Sequence, residues 1–262
     1  MDEQNSNSTR HPVLFVGAGP GDPELITVKG QKALTAADVI IYAGSLVPEA
    51  LLQWARSGAE RISSAGMHLE EIVAVVESAF RAGKRVVRLH TGDPSLYGAV
   101  FEQMSELQQR SIPYRVVPGV TAAFAAAAAM GIEYTLPEIC QTLILTRMGG
   151  RTPVPESERL ERLAQHRASM AIYLSAGLAE PVAEILKKHY GNTAGCAVAY
   201  RVSQPQEKIV FTTLQELVAT IRKEKITRQA LIIVGRVLAV QPSSMQYKSK
   251  LYDRDFSHGF RE

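Results

Sequence analysis

The chain has 262 residues but only two cysteines, Cys140 and Cys196. Two isolated thiols in mostly apolar surroundings exclude a disulfide framework and a zinc site, and both are expected to be buried. No apolar run approaches the roughly 20 residues of a membrane span, and the small-residue run at 122–130 is about half that. The opening MDEQNSNSTRHP is polar, without the basic-then-apolar pattern of a secretory signal, so a cytoplasmic protein is expected. Charge of one sign is also lacking: 29 Lys and Arg face 26 Asp and Glu, a formal net charge of +3. The basic residues are scattered, which argues against a nucleic-acid partner and suits a small anionic one. His-x-x-x-His and Cys-x-x-Cys spacings are missing, as is a G-x-S-x-G elbow, so neither a metal nor a side-chain nucleophile is expected. Chemistry in such a chain has to come from positioning.

What is present begins at residues 13–23, VLFVGAGPGDP, where a run of β-formers breaks into three glycines, two prolines and an aspartate. This is a strand emptying into a tight turn. A dinucleotide loop is the first comparison, since a strand, G-x-G and a helix bring backbone amides to a pyrophosphate. The spacing opposes it. Gly17, Gly19 and Gly21 read G-x-G-x-G, Pro20 has no N–H, and Asp22 sets a carboxylate where phosphate would sit. A Walker loop fails for want of Gly-Lys-Ser/Thr. A structural turn or a less anionic ligand remains.

Helical and strand patterns then alternate. Helices are expected over 27–36, 47–56, 68–81 and 97–109, and strands over 39–42, near 61–62, and over 84–90 and 114–117. Such alternation predicts a mostly parallel sheet. Beyond the alanine-rich segment the texture changes: strands at 142–146 and 170–174, a Gly/Pro loop at 147–155, a helix at 178–189, then β-rich 196–202 and 208–212 joined by SQPQE. So short a link predicts antiparallel neighbours and hence a mixed sheet, closed by a helix at 214–223 and a strand at 230–234. The expected fold is α/β, with an N-terminal α/β domain at 12–120, a C-terminal α/β domain at 121–238 and a cleft between them. Residues 239–262 are expected to form a flexible extension.

Two more segments carry possible chemistry. TGDPSLYG at 91–98 is a second Gly-Asp-Pro turn at a strand end, and in a parallel sheet it emerges on the same edge as the first. Gly-Asp-Pro is also ordinary helix-cap chemistry, so Asp93 either caps a following helix or faces ligand. VVPGVTAAFAAAAA at 116–129 combines a sharp turn with alanines that permit close approach, by a packed neighbour or by a flat molecule. His90, just before the second turn, is either functional or a packed strand-end side chain.

These turns, in this order, resemble the tetrapyrrole methylase family, S-adenosylmethionine-dependent enzymes that methylate corrin and sirohaem precursors. GAGPGDPELITVKG at 17–30, ADVIIYAGSLV at 37–47, RLHTGDPSLYG at 88–98, PGVTAAFAAAA at 118–128 and ALIIVGR at 230–236 carry the resemblance, which spans about residues 12–238. Within the family, YAGSLVPEALL, AGMHLEE at 65–71 and LTRMGGRTPVPESE at 145–158 look like the branch that methylates C11 of precorrin-4 or its cobalt form. The uroporphyrinogen branch usually has Lys-Gly-Gly-Asp-Pro where this chain has Leu89-His90-Thr91-Gly92-Asp93-Pro94.

The resemblance implies a folded S-adenosylmethionine in the cleft, released as S-adenosylhomocysteine. Pro20 would lie beneath it, Thr91, Gly92, Asp93 and Leu96 would line it, and Thr121 and Ala122 would touch it from the crossing segment. Leu174, Arg201 and Ala230 are the corresponding second-domain positions, with contact through backbone at the first two. Asp93, His90 and Tyr97 are the candidates near the reacting centre. The implied substrate carries carboxylates, for which Ser45, Arg147 and Arg151 are candidates; each arginine can equally be solvated surface. The family implies a homodimer. Another tetrapyrrole substrate, such as uroporphyrinogen III or a different precorrin carbon, the diphthamide precursor, and a non-catalytic tetrapyrrole carrier stand as alternatives.

Overall fold

The computed structural model describes residues 11–240 and, beyond them, Ser243, Phe256, Ser257 and Gly259. Most of the expected extension, 239–262, lies outside the described residues. The chain divides into two compact units, the first ending at Ala122 and the second starting at Ala123.

In the first unit, β1 (Val13–Gly17), β2 (Val39–Tyr42), β3 (Glu60–Ser63), β4 (Val86–His90) and β5 (Tyr114–Val117) form one sheet in the order β3-β2-β4-β1-β5. Every pairing is parallel, as the alternation predicts. Helix α1 (Val28–Ala36) begins where the Thr27 hydroxyl accepts from the Gly30 amide at 3.1 Å. It buries Ala33 and Leu34 against one face of the sheet, with Val16, Ile40, Val87 and Leu89. The other face takes α2 (Leu69–Arg81) and α3 (Val100–Gln109), through Ile72, Val73, Val76, Phe80, Val100 and Leu107 packed on Phe15 and Ile41. Phe15, Leu34, Ile41 and Leu107 are fully buried, each adding about 1.5–3 kcal/mol of apolar transfer.

Two expected helices differ. Residues 47–56 form a short 3-10 helix, Glu49–Trp54, held by burial of Leu51 and Leu52 and by the Trp54 indole N–H, which donates to the Pro23 carbonyl at 3.2 Å. The helix expected from 97 begins only at Val100, because Tyr97 and Ala99 have φ of 55° and 47°. Left-handed residues cannot belong to a right-handed helix.

Helix α4 (Ala122–Met130) follows, its first residue closing the first unit. The second unit then contains β6 (Leu143–Arg147), α5 (Leu160–Ala164), β7 (Ser169–Tyr173), α6 (Ala179–Tyr190), β8 (Gly195–Tyr200), β9 (Lys208–Thr213), α7 (Leu217–Lys223) and β10 (Ala230–Val234). Its sheet runs β6-β7-β10-β8-β9, with β6 and β7 parallel and the remaining pairs antiparallel. The expected mixed sheet is present, and β8 and β9 are the antiparallel neighbours that the short SQPQE link requires. Its core gathers Val182 and Leu186 of α6, Leu217 and Ile221 of α7, and Met170, Ile172, Val198 and Ile232 of the strands. Cys196 lies in that core, and burial pushes its thiol up to about 12. Cys140, expected to be buried, is only half-buried: its thiol donates to the Thr142 carbonyl and accepts from the Ser169 amide, both at 3.1 Å.

Candidate active site

Strand order selects the first site. The chain leaves β1 through α1 toward β2, on one side, and leaves β4 through α3 toward β5, on the other. Adjacent strands whose connections diverge make a topological switch point, and ligands of open parallel sheets bind outside the carboxyl ends of such strands. The loops involved are the two Gly-Asp-Pro turns. They are joined directly: the Gly92 amide donates to the Gly19 carbonyl at 2.8 Å, and the Gly19 amide to the Gly92 carbonyl at 3.2 Å.

The loop after β5 joins them. An added Cβ at Gly17 would lie 2.6 Å from the Gly119 backbone, and one at Gly119 would lie 2.2 Å from the Gly92 carbonyl oxygen. Gly17 and Gly119 therefore serve loop-to-loop contact. Gly92 differs, with φ of 61° and no atom closer than 3.9 Å to an added Cβ. Thr91, Gly92, Leu96, Thr121 and Ala122 are half-buried on this edge, and Pro20 is buried at its base.

Asp93 ties the assembly together. One carboxylate oxygen accepts from the Gly119 amide at 2.8 Å, while the other accepts from the Ser95 amide at 2.8 Å and from the Ser95 hydroxyl. Burial works to raise its pKa, but these bonds from Ser95 and Gly119 outweigh it and hold the group below the ordinary aspartate value. The helix cap considered for Asp93 is corrected, since α3 starts seven residues later. The carboxylate is a strap between the loops after β4 and β5.

His90 has the packing of a strand-end side chain, one of its two expected readings. It is 4% exposed and its ring lies 5.9 Å from that of Phe15. Burial foremost, then the Arg88 charge, push its imidazole down to about 3, against an opposing pull from a hydrogen bond with the Gly98 backbone. Burial places His90 in the core of the strand end. Tyr97 is 43% exposed on the loop, and Ser45 is exposed in the turn after β2, at the same carboxyl edge.

Phosphate is poorly served here. Helix α1 starts only at Val28, after a 3-10 turn at Pro23–Leu25 that Asp22 caps by accepting from the Glu24 amide at 2.8 Å. No helix N-terminus opens directly onto the glycine turn, the arrangement a pyrophosphate needs.

The second unit gathers its own candidates along one sheet edge. Because β8 runs with β7 and against β10, the carboxyl ends of β6, β7 and β8 meet the start of β10. Arg147, Leu174, Arg201 and Ala230 all fall there. Leu174 and Arg201 have φ of 52° and 44°, and Gln229, beside them, 56°. Three left-handed non-glycine residues at one edge are the kind of strain that clusters at functional sites. Arg201 is braced on Gln229, its amide donating to the Gln229 carbonyl at 2.9 Å and its Nε to the Gln229 side-chain oxygen at 2.8 Å. Leu174 is 68% exposed.

Arg147 has a structural task at this edge as well. Its guanidinium donates to the carbonyls of Thr152 at 3.1 Å and Pro153 at 2.8 Å, so it shapes the Gly/Pro loop. Arg151 is exposed on that loop and has no hydrogen bond or ion pair among the described residues. Sequence reasoning passed over Gln229, Gly119 as a partner of Gly92, and Gln103 of α3. Gly119 lies in the Pro-Gly turn already singled out, but nothing local marks its contact with Gly92, the brace of Gln229 on Arg201 or the bond of Gln103 to Arg88; strand order and the packing of α3 on the sheet bring these together.

Among the described residues no helix is long and apolar enough to cross a membrane, and no group of three or more His, Cys, Asp or Glu is placed to hold a metal ion. The family model of tetrapyrrole (corrin/porphyrin) methylases matches residues 12–218. A cobalt-precorrin-4 C(11)-methyltransferase of Methanocaldococcus jannaschii is 51% identical over 251 residues, 95% of this chain and 96% of that protein. A precorrin-4 C(11)-methyltransferase of Pseudomonas aeruginosa is 47% identical, over 95% of this chain and 98% of that one. Among solved structures, a cobalt precorrin-4 methyltransferase of cobalamin biosynthesis superposes with a TM-score of 0.86 at 46% identity, covering 89% of this chain and 98% of its own. The uroporphyrin-III C-methyltransferase of Thermus thermophilus, complexed with S-adenosylhomocysteine, gives 0.72 at 29% identity, over 87% of this chain and 93% of its own. With the family model matched over most of its length and relatives near half identity end to end, the chain belongs to the tetrapyrrole (corrin/porphyrin) methylase family.

Proposed function

We propose that this protein transfers a methyl group from S-adenosylmethionine to C11 of precorrin-4 or of its cobalt form, in the biosynthesis of cobalamin. The observation that carries the proposal is identity of 47–51%, across nearly whole chains, to relatives named for that one carbon, with and without cobalt. The seat proposed for the donor is the switch-point edge of the first unit, lined by Thr91, Gly92, Leu96, Thr121 and Ala122 over buried Pro20. Its chemistry fits a sulfonium amino-acid nucleoside better than a phosphate: backbone and small side chains predominate, and the carboxylates of Asp22 and Asp93 are occupied by amides. Leu174, Arg201 and Ala230 are proposed as donor contacts on the second unit, and Ser45 and Arg151 as contacts for substrate carboxylates.

The donor, when bound, supplies a methyl carbon made electrophilic by the sulfonium. The substrate carbon attacks in line with the S–CH3 bond: a C–C bond forms, the S–CH3 bond breaks, and its electron pair returns to sulfur. What the chain contributes is alignment at a near-attack distance of about 3–3.5 Å and exclusion of water, which together account for large rate factors without a nucleophile. Asp93 straps the donor loops, and Tyr97, exposed beside them, is the side chain proposed to meet the substrate. In the same reading the protein is a cytoplasmic homodimer with no nucleic-acid partner.

Incubation with methyl-labelled S-adenosylmethionine and either precorrin-4 or cobalt-precorrin-4, followed by NMR of the product, decides the matter. Label at C11 is the expected outcome, and the faster of the two substrates assigns the metal state. Label at another carbon would replace the proposed position while keeping the family. Tight substrate binding with no label transferred would leave a tetrapyrrole carrier.

A further inference from the structure

Four polar or charged side chains are buried among the described residues of the first unit: Ser64, Arg88, His90 and Gln103. Three of them converge under one short segment. Arg88 of β4, 4% exposed, has no carboxylate partner among the described residues; its Nε donates to the Gln103 side-chain oxygen at 3.0 Å and its Nη1 to the Ile41 carbonyl at 3.2 Å. Gln103 of α3, 6% exposed, passes the connection on, its Nε2 donating to the Ala99 carbonyl at 3.1 Å. His90 is hydrogen-bonded to the Gly98 backbone, and its Nε2 has no partner among the described residues. The segment they hold is strained. Tyr97 and Ala99 are left-handed, and Gly98 between them has no room for a side chain, since an added Cβ would lie 2.2 Å from the Pro94 carbonyl oxygen. Such a conformation persists only where its surroundings over-determine it.

A buried guanidinium is costly unless it is hydrogen-bonded, and here its acceptor is a neutral amide. That amide has two ends, and the geometry gives each one task. The oxygen satisfies Arg88, and the nitrogen grips the backbone at the exit of the loop that begins with Thr91 and Gly92. We infer that Gln103 is a positioning residue: anchored on Arg88, it holds the 97–99 turn in its left-handed form and so presets the loop after β4 for the methyl donor. The inference rests on the donor reading of that loop. Neither Gln103 nor Arg88 is among the residues proposed to line the donor edge; Gln103 acts through the Ala99 carbonyl, and Arg88 acts through Gln103.

Two variants separate this role from general stability. Gln103→Met removes both hydrogen bonds at similar volume. Gln103→Glu keeps an oxygen acceptor for Arg88 and adds a counter-charge, but sets an oxygen against the Ala99 carbonyl. Each is compared with the unaltered protein in thermal unfolding, in amide hydrogen exchange over residues 92–100, and in the dissociation constant for S-adenosylhomocysteine by calorimetry. Gln103→Glu is expected to unfold near the unaltered protein and Gln103→Met well below it. Both are expected to exchange faster over 96–100 and to bind S-adenosylhomocysteine about tenfold more weakly, as when the preset fraction of the loop falls to a tenth. Binding and exchange that recover together with stability in Gln103→Glu would make Gln103 a structural residue only and overturn the inference. Failure of the unaltered protein to bind S-adenosylhomocysteine would overturn the donor reading instead, and unchanged exchange over 96–100 in both variants would overturn the clamp whatever the ligand.

Discussion

At Gly119 an added methyl would lie 2.2 Å from the Gly92 carbonyl oxygen and 2.8 Å from the Gly17 Cα. All of these obstacles are backbone, so no side chain can swing away to make room. Gly119→Ala is therefore expected to cost about 1–3 kcal/mol in urea unfolding and to weaken S-adenosylhomocysteine binding, because the loops after β1, β4 and β5 must part. Gly66, with nothing within 4 Å of an added Cβ, is the control, and Gly66→Ala should stay within about 0.5 kcal/mol. His90 gives a pH signature. Its folded pKa of about 3 lies below the ordinary histidine value of 6.5, so between those values the unfolded chain binds a proton that the folded one does not. Stability from this residue is complete above about pH 6.5 and falls by up to about 1.4 kcal/mol per pH unit below it. Replacing it, as in His90→Gln, should reduce the loss of stability between pH 7 and pH 5 by about 2 kcal/mol in denaturant titrations. Equal losses in both proteins would mean that the imidazole is not buried in solution.

At the scale of elements, the strongly patterned segments were legible. β2 occupies 39–42 as its apolar run predicts, and α2 buries the Ile72, Val73, Val76 and Phe80 stripe that its spacing announces. Legibility failed where a neighbour overrode the local pattern. The 47–56 segment has helical spacing, yet Trp54 is drawn to the Pro23 carbonyl and a 3-10 helix results. Residues 97–99 also scan as helix, but the clamp from Gln103 and the contact of Gly98 with Pro94 impose left-handed backbone. Arg147, a candidate for substrate carboxylates, also organises the carbonyls of its own loop, which its sequence surroundings do not announce. The partner of Trp54 lies 31 residues away, beyond any window of periodicity, and the nearer groups act through side-chain-to-backbone bonds and backbone contact that periodicity does not register.

At the scale of the whole molecule, ligand binding and folding are linked. A donor-family ligand that binds only the folded chain, present at about 100 times its dissociation constant, adds about 2.7 kcal/mol of stability. For a chain of this size that is a rise of about 5–10 °C in the unfolding midpoint, measurable by scanning calorimetry with S-adenosylhomocysteine. A phosphate-bearing nucleotide should give no comparable rise, since no helix N-terminus opens onto the glycine turn. An equal rise with a dinucleotide would restore the phosphate reading that the spacing of Gly17, Gly19 and Gly21 opposes.

The amino-acid sequence by itself determined the alternation of strands and helices in the first unit, the mixed sheet of the second and the Gly-Asp-Pro turns that follow β1 and β4. Those properties follow from side-chain periodicity, glycine and proline placement, and link lengths, which are local. Only the tertiary structure decided which loops touch. The order β3-β2-β4-β1-β5 puts residues 17–19 against residue 92 and residue 119, turns Asp93 into a strap, and sinks His90 into the core. Parallel neighbours are chosen by burial across the whole sheet, and no stretch of chain carries that choice alone.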